Sequence, residues 1–254
     1  MAFFIALIII IALIILFIWL THGKRLIKKA MKESLIVYGP KGKGKSLLFS
    51  YMARKCKNGY VSNVDLGCDC KVVNLDKISV TPNTYENTIK GDFFKIKKLP
   101  FEGKPVFLDD CAVYLPNYAD SQLKKLYPSM PIAYATWRHL YNAPIYLNCQ
   151  TLQRTWKPLR EQADTFIRCR GVLKLPFFLV VMFTYYDNQN SAENNLLPVS
   201  SRFLNKYSKA EVDQYNATNG TISNGFVFVR KRSISYDSRY FHKKFFGRKS
   251  PTSI

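Results

Sequence analysis

Leu35-Ile36-Val37-Tyr38-Gly39-Pro40-Lys41-Gly42-Lys43-Gly44-Lys45-Ser46-Leu47-Leu48-Phe49 changes character twice along its length. Its first four residues are apolar on both sides, as a strand buried in the middle of a parallel sheet must be. A run of alternating glycines and lysines follows. Ser46 then opens a segment, Leu47 to Arg54, that reads as a helix. A strand leading into Gly-x-x-x-x-Gly-Lys-Ser and a helix leading out is the context a phosphate-binding loop requires. A chance Gly/Lys-rich turn would have neither flank.

The chemistry expected of this loop follows from its residue types. Gly39, Gly42 and Gly44 let the backbone curl around a phosphate chain with its N–H groups inward. The following helix contributes its positive N-terminal end. Lys45 would reach the β- and γ-phosphates of ATP, and the Ser46 hydroxyl would ligate Mg²⁺. Gly39, Pro40, Lys41, Gly42, Lys43, Gly44, Lys45 and Ser46 together form the expected nucleotide-binding loop, with Lys41 and Lys43 read as solvated charges beside it.

A loop of this kind needs a hydrolytic partner. Pro105-Val106-Phe107-Leu108-Asp109-Asp110 supplies one, because an apolar strand delivers two carboxylates at the end where ligands bind in such sheets. Asp109 would hold the magnesium, and Asp110 would orient or deprotonate the attacking water. Gln150 ends the next apolar run, Ile145 to Cys149, and either faces the γ-phosphate or caps the strand. Arg138 and Arg160 are candidates for an arginine finger across a subunit boundary, and each also reads as a surface or structural arginine.

Beyond these segments, a strand is expected near Tyr60–Leu66, a helical region over Ser121–Tyr141, a helix start at Pro158–Asp164 and a strand at Thr165–Cys169. Strands alternating with helices imply an α/β fold, a P-loop NTPase with a mainly parallel sheet flanked by helices. Val172–Tyr186 is strongly apolar, but Lys174 and Pro176 interrupt it, so a pair of core strands is expected there and not a membrane span. Asn190–Asn195 reads as a loop, and a weakly structured tail is expected beyond it.

Ala2–Leu20 is an uncharged apolar run. As a helix it would be roughly 28 Å long, close to the thickness of a bilayer core. It lacks the basic start and the small-residue cleavage site of a signal peptide. A single transmembrane helix is therefore expected to precede the sheet, with Trp19 at the interface. Lys24, Arg25, Lys28, Lys29 and Lys32 follow the run, and no base lies before it. The positive-inside bias puts the N-terminus outside and the remainder in the cytoplasm of the host. The expected organisation is an anchor over 1–22, an ATPase domain over 23–190 and a basic, aromatic-rich region over 191–254.

The net charge of +21 is uneven: residues 21–60 hold 11 lysines and arginines against one acid, and residues 226–254 hold 8 against one. In the tail, Arg239-Tyr240-Phe241-His242-Lys243-Lys244-Phe245-Phe246 interleaves bases with rings. That mixture suits single-stranded nucleic acid, whose phosphates meet charges while bases stack, and it suits a membrane surface equally. Six cysteines in a chain of this size give no disulfide framework. Cys68-Asp69-Cys70 has the wrong spacing for a redox or zinc motif and is read as a turn or strand edge.

Taken together, several segments resemble the zonular occludens toxin-like family, which includes the morphogenesis ATPases of filamentous bacteriophages. They are the loop, Ser62-Asn63-Val64-Asp65-Leu66, the Asp109-Asp110 strand, Trp137-Arg138-His139-Leu140, Ile145 to Gln150, and Leu159-Arg160-Glu161-Gln162-Ala163-Asp164. The likeness spans roughly residues 34–186. It implies an ATP-driven motor for virion assembly or export that moves single-stranded DNA, oligomerises as a ring, and engages phage coat proteins. Many members place their membrane span after the ATPase domain, whereas here it comes first. A different class of function fits the same residues: a nucleotide-switched membrane scaffold that recruits coat protein or DNA without moving it.

Overall fold

The computed structural model describes residues 21–64, 66, 71–72, 103–126, 142–196, 214 and 217–231. The expected membrane span, Arg138, the Cys68–Cys70 pair and the basic tail beyond residue 231 lie outside these residues. No helix among the described residues is long and apolar enough to cross a membrane.

Strand β1 (Leu35–Tyr38) is buried at every position, because parallel neighbours flank it on both edges. It pairs with β5 (Ile145–Cys149) on one side and β6 (Thr165–Lys174) on the other, with Val37 opposite Asn148 and Ile167. The short strands β2 (Val61–Ser62), β3 (Lys71–Val72) and β4 (Val106–Leu108) continue the parallel set. Strands β7 (Phe178–Tyr186) and β8 (Ile222–Arg230) then add antiparallel to β6. The full order is β3-β2-β4-β5-β1-β6-β7-β8. The parallel part, β3 to β6, is the one expected from the alternation of strands and helices; the antiparallel β7 and β8 make the whole a mixed sheet, and β5 lies between the loop strand and the strand that delivers Asp109.

Alternation along each strand sorts the core into two layers. Leu35, Val37, Phe107, Tyr146 and Ile167 face one side. There they meet helix α1 (residues 21–30) through Leu26, Ile27 and Ala30, and helix α2 (Lys45–Ala53) through Leu48, Phe49 and Met52. Ile36, Tyr38, Leu108, Leu147 and Cys149 face the other side. That layer is covered by α3 (Cys111–Tyr114), α4 (Asp120–Leu126), α5 (Lys157–Glu161) and α6 (Gln189–Glu193). Pro158 lies in the first turn of α5, where its missing N–H costs nothing.

Val172–Tyr186 forms the expected pair of core strands: β6 and β7 pair antiparallel from Phe166–Tyr186 to Lys174–Leu179, with a bulge between Cys169 and Gly171. Two expectations differ from the structure. Gln189–Glu193 is a helical turn where a loop was expected, started by Asn188, whose side chain accepts from the Asn190 N–H. The polar stretch after residue 190 also contains β8, which pairs with β7 from Phe178–Arg230 to Tyr186–Ile222. The sheet thus runs on into the stretch read as a weakly structured tail. Its alternate residues Val227 and Val229 are buried under α1, so a half-polar strand reads as tail in sequence while closing the sheet in space.

Phe107 is the centre of the α2-side layer. Its ring meets those of Phe49, Tyr60 and Tyr146 at centroid distances of 5.2, 5.3 and 4.7 Å, all in edge-on arrangements. Because Phe107 stands two residues before Asp109, this packing also fixes the strand end. Phe107→Ala should lower stability by about 3–5 kcal/mol, read from the guanidinium unfolding midpoint; an unchanged midpoint would contradict this view of the core.

Candidate active site

The loop from Gly39 to Ser46 curls above the C-terminal end of β1. Gly39 and Gly44 are held by their surroundings as well as by their backbone angles. Both have positive φ (139° and 91°), and a Cβ at Gly39 would lie 2.6 Å from the Cys169 carbonyl oxygen. A Cβ at Gly44 would lie 2.5 Å from a Val172 methyl carbon. The loop is therefore pressed against β6, with no room for side chains there. Gly44 caps α2 in left-handed geometry and, being glycine, offers no side-chain cap to the helix's first N–H groups. Lys45 is buried, and its Nζ donates to the Pro40 carbonyl at 3.3 Å, so its ammonium spans the curl of the loop.

Asp109 follows the last residue of β4 and is buried. Strand alternation aims Asp109 and Asn148 at the same side as Phe107 and Val37, which is the side of α2. Accordingly, Asn148 Nδ2 donates to Asp109 Oδ1. The Ser46 hydroxyl, from the first turn of α2, lies 3.4 and 3.3 Å from the two carboxylate oxygens. Asn63, just past β2, clamps the backbone beneath: its Oδ1 accepts from the Asp109 N–H at 2.8 Å, and its Nδ2 donates to the Asp109 carbonyl at 3.0 Å.

Asp110 adopts left-handed backbone angles (φ 47°, ψ 44°) at the start of α3. Asp tolerates this region better than most residues, at some conformational cost. The turn separates the two carboxylates: Asp109 is interior and Asp110 half-buried. Gln150 follows β5, exposes its side chain, and accepts the Gly39 N–H on its own carbonyl at 3.2 Å. The residue expected to sense the terminal phosphate is thereby tied to the first residue of the loop.

Arg160 has a different setting from the one a finger needs. It is buried, its Nε lies 3.1 Å from Glu193 Oε1, and an Nη donates to the Leu152 carbonyl at 3.1 Å. Its guanidinium braces α5 against α6 within the chain, which matches the structural reading of this arginine. The cysteines of this region are core residues: Cys111 and Cys149 are buried free thiols. Hydrogen bonding to Cys149, then burial, pushes the Cys111 thiol well above its usual value, so it stays protonated. Among the described residues no group of three or more His, Cys, Asp or Glu side chains is arranged to hold a metal. The expected magnesium position instead uses one hydroxyl and one carboxylate.

Sequence reasoning passed over Asn63 and Asn148 as site residues. The signal for Asn148 was present, as the one polar side chain in a strand buried at every position. Asn63 had no such mark, since a polar residue after a two-residue strand reads as an ordinary loop.

No protein-family model and no curated protein matches this chain. Solved structures to which it is similar include the N-terminal domain of zonular occludens toxin from Neisseria meningitidis. That similarity has 14% identity, covers 83% of this chain and 97% of that one, and has a TM-score of 0.43. They also include the genome-packaging NTPase B204 of Sulfolobus turreted icosahedral virus 2. Its complex with AMPPCP is 15% identical over 63% of this chain and 94% of that one, with a TM-score of 0.38. Its complex with ATP-γS is 16% identical over 76% and 96%, also with a TM-score of 0.38.

Asn63→Ala would leave the buried N–H and C=O of Asp109 without their partners. The expected loss is about 1–3 kcal/mol in a chemical unfolding experiment; a variant as stable as the parent would show that the clamp is not needed to hold the strand end.

Proposed function

We propose that this chain is an ATP hydrolase that works at a membrane face to drive virion assembly or the export of single-stranded phage DNA. The observation that carries the hydrolase reading is the contact of Ser46 with Asp109, which joins the loop, with Lys45 Nζ held across its curl, to a strand two positions away in the sheet. The donor set fits magnesium. A hydroxyl and a carboxylate already within 3.3 Å need little movement to become neighbouring ligands of a cation whose bonds to oxygen are about 2.1 Å. Asn148 Oδ1, buried without a hydrogen-bond partner among the described residues, adds an acceptor beside that carboxylate. Ser46 and Asp109 would hold Mg²⁺, and the ion would supply positive charge against the phosphates.

Each residue then has a distinct task. Lys45 meets the phosphate charge inside the loop, Ser46 and Asp109 hold the metal, and Asn63 and Asn148 keep Asp109 in place. Asp110, turned away from the interior by its left-handed backbone, is available to orient water. Gln150 contacts the terminal phosphate from the end of β5. The second carboxylate favours turnover over a pure nucleotide switch, which would need only the binding half of this set.

Membrane coupling is supported by α1. Its bases Lys24, Arg25, Lys28 and Lys29 are exposed, while Leu26, Ile27 and Ala30 pack on the sheet. Only residues 31–34 separate this helix from β1. A span ending near residue 20 would thus connect to the nucleotide site through packed structure without a slack linker, and the exposed bases suit anionic headgroups. The transported polymer, a homo-oligomeric ring and coat-protein contacts follow the sequence resemblance and the basic, aromatic tail.

Lys45→Ala should abolish Mg²⁺-dependent ATP hydrolysis by the detergent-purified chain. Asp110→Asn should retain nucleotide binding while turnover falls by about 10²-fold or more. Undiminished turnover in Lys45→Ala would contradict the hydrolase assignment, and single-turnover hydrolysis indifferent to single-stranded DNA would favour the scaffold over the motor.

A further inference from the structure

Strand β6 carries an arginine to the edge of the phosphate loop. Arg168 stands in register with Tyr38, the residue before Gly39. The next residue, Cys169, presses its carbonyl against Gly39. Ile167 and Cys169 are buried in the α2-side layer, so alternation turns Arg168 to the opposite side. There it lines a cleft of about 340 Å³ whose walls include Gly39, Lys41, Gln150 and Arg154. The cleft therefore adjoins the loop at the end where Gln150 would meet the terminal phosphate.

The charge in this cleft is one-sided. Lys41, Arg154 and Arg168 line it with a single acid, Glu193, which already meets Arg160 and Gln189. Among the described residues neither Arg154 nor Arg168 has an ion-pair partner. Arg168 is half-buried and rooted on a strand, and Arg154 is exposed on a short helical turn. A guanidinium held rigidly in a partly desolvated cleft binds a phosphate by a planar, charge-assisted fork. Such contacts also relieve the repulsion among the three cations.

We infer that Arg168 contacts the terminal phosphate of the nucleotide bound by the same chain and sets the preference for tri- over diphosphate, with Arg154 as a second, outer contact. This rests on the reading of Gly39–Ser46 as the triphosphate loop. It assigns the role sought in Arg160 to an arginine on a neighbouring strand, and it requires no second subunit to supply that charge.

The test is the affinity of the full chain, with Mg²⁺, for a non-hydrolysable ATP analogue and for ADP. Arg168→Gln should weaken the triphosphate by about ten- to a hundred-fold and leave ADP within about twofold of the parent. Arg168→Lys should recover part of the loss, and Arg154→Gln should show a smaller loss of the same kind. Lys45→Ala should weaken both nucleotides. If Lys45→Ala binds both as the parent does, the loop reading fails and the inference falls with it. If Lys45→Ala behaves as expected but Arg168→Gln binds both nucleotides like the parent, or loses both equally, the assignment of Arg168 is overturned while the loop reading stands.

Discussion

A carboxylate buried as deeply as Asp109 is costly unless every neighbour is arranged for it. The local architecture answers that demand. Strand β5 inserts between β1 and β4 and brings Asn148 to the carboxylate, α2 brings Ser46, and the end of β2 brings Asn63 to the backbone on either side. Three separate segments meet at one residue just past a fourth, β4. Phe107, two positions earlier, anchors the same strand by ring packing from below. Stability and chemistry therefore share their supports, because the groups that make the burial tolerable are the ones that aim the carboxylate at the loop.

The same economy is visible around the glycines. Gly39 and Gly44 touch β6 so closely that no side chain fits, which ties the loop to the strand carrying Arg168. Gln150 is tied to the loop by its backbone. The walls of the cleft are thus set by sheet geometry, with strands β5, β1 and β6 side by side: Gln150 and Gly39 follow the ends of β5 and β1, and Arg168 stands within β6 beside Tyr38. A site framed by strand ends is held more firmly than one framed by long loops.

Much of this was legible in the sequence where local chemistry and tertiary role coincide. The strand–loop–helix around Gly39–Ser46, the acidic end of β4, the apolar run of β5 and the Pro158 helix start all announce themselves by residue type. The β6–β7 hairpin was legible because Lys174 and Pro176 break an otherwise membrane-like run. What was not legible depends on partners distant in the chain. Strand β8 is half-polar and gains its apolar role only from α1 above it. Arg160 looks like any arginine until Glu193 and the Leu152 carbonyl surround it. Asn63 and Arg168 owe their positions to pairings across the sheet, which no local pattern carries.

If Ser46 and Asp109 form the metal side of a nucleotide site, nucleotide binding must depend on magnesium. The most direct measurement is the unfolding temperature of the purified chain with a non-hydrolysable ATP analogue, in excess Mg²⁺ and in EDTA. Ligand at about a hundred times its dissociation constant stabilises the folded state by about 2.7 kcal/mol, a shift of several degrees. The shift should appear with magnesium and be lost, in large part, in EDTA. An equal shift in EDTA, or none in either condition, would rule out Ser46 and Asp109 as metal ligands of a nucleotide site.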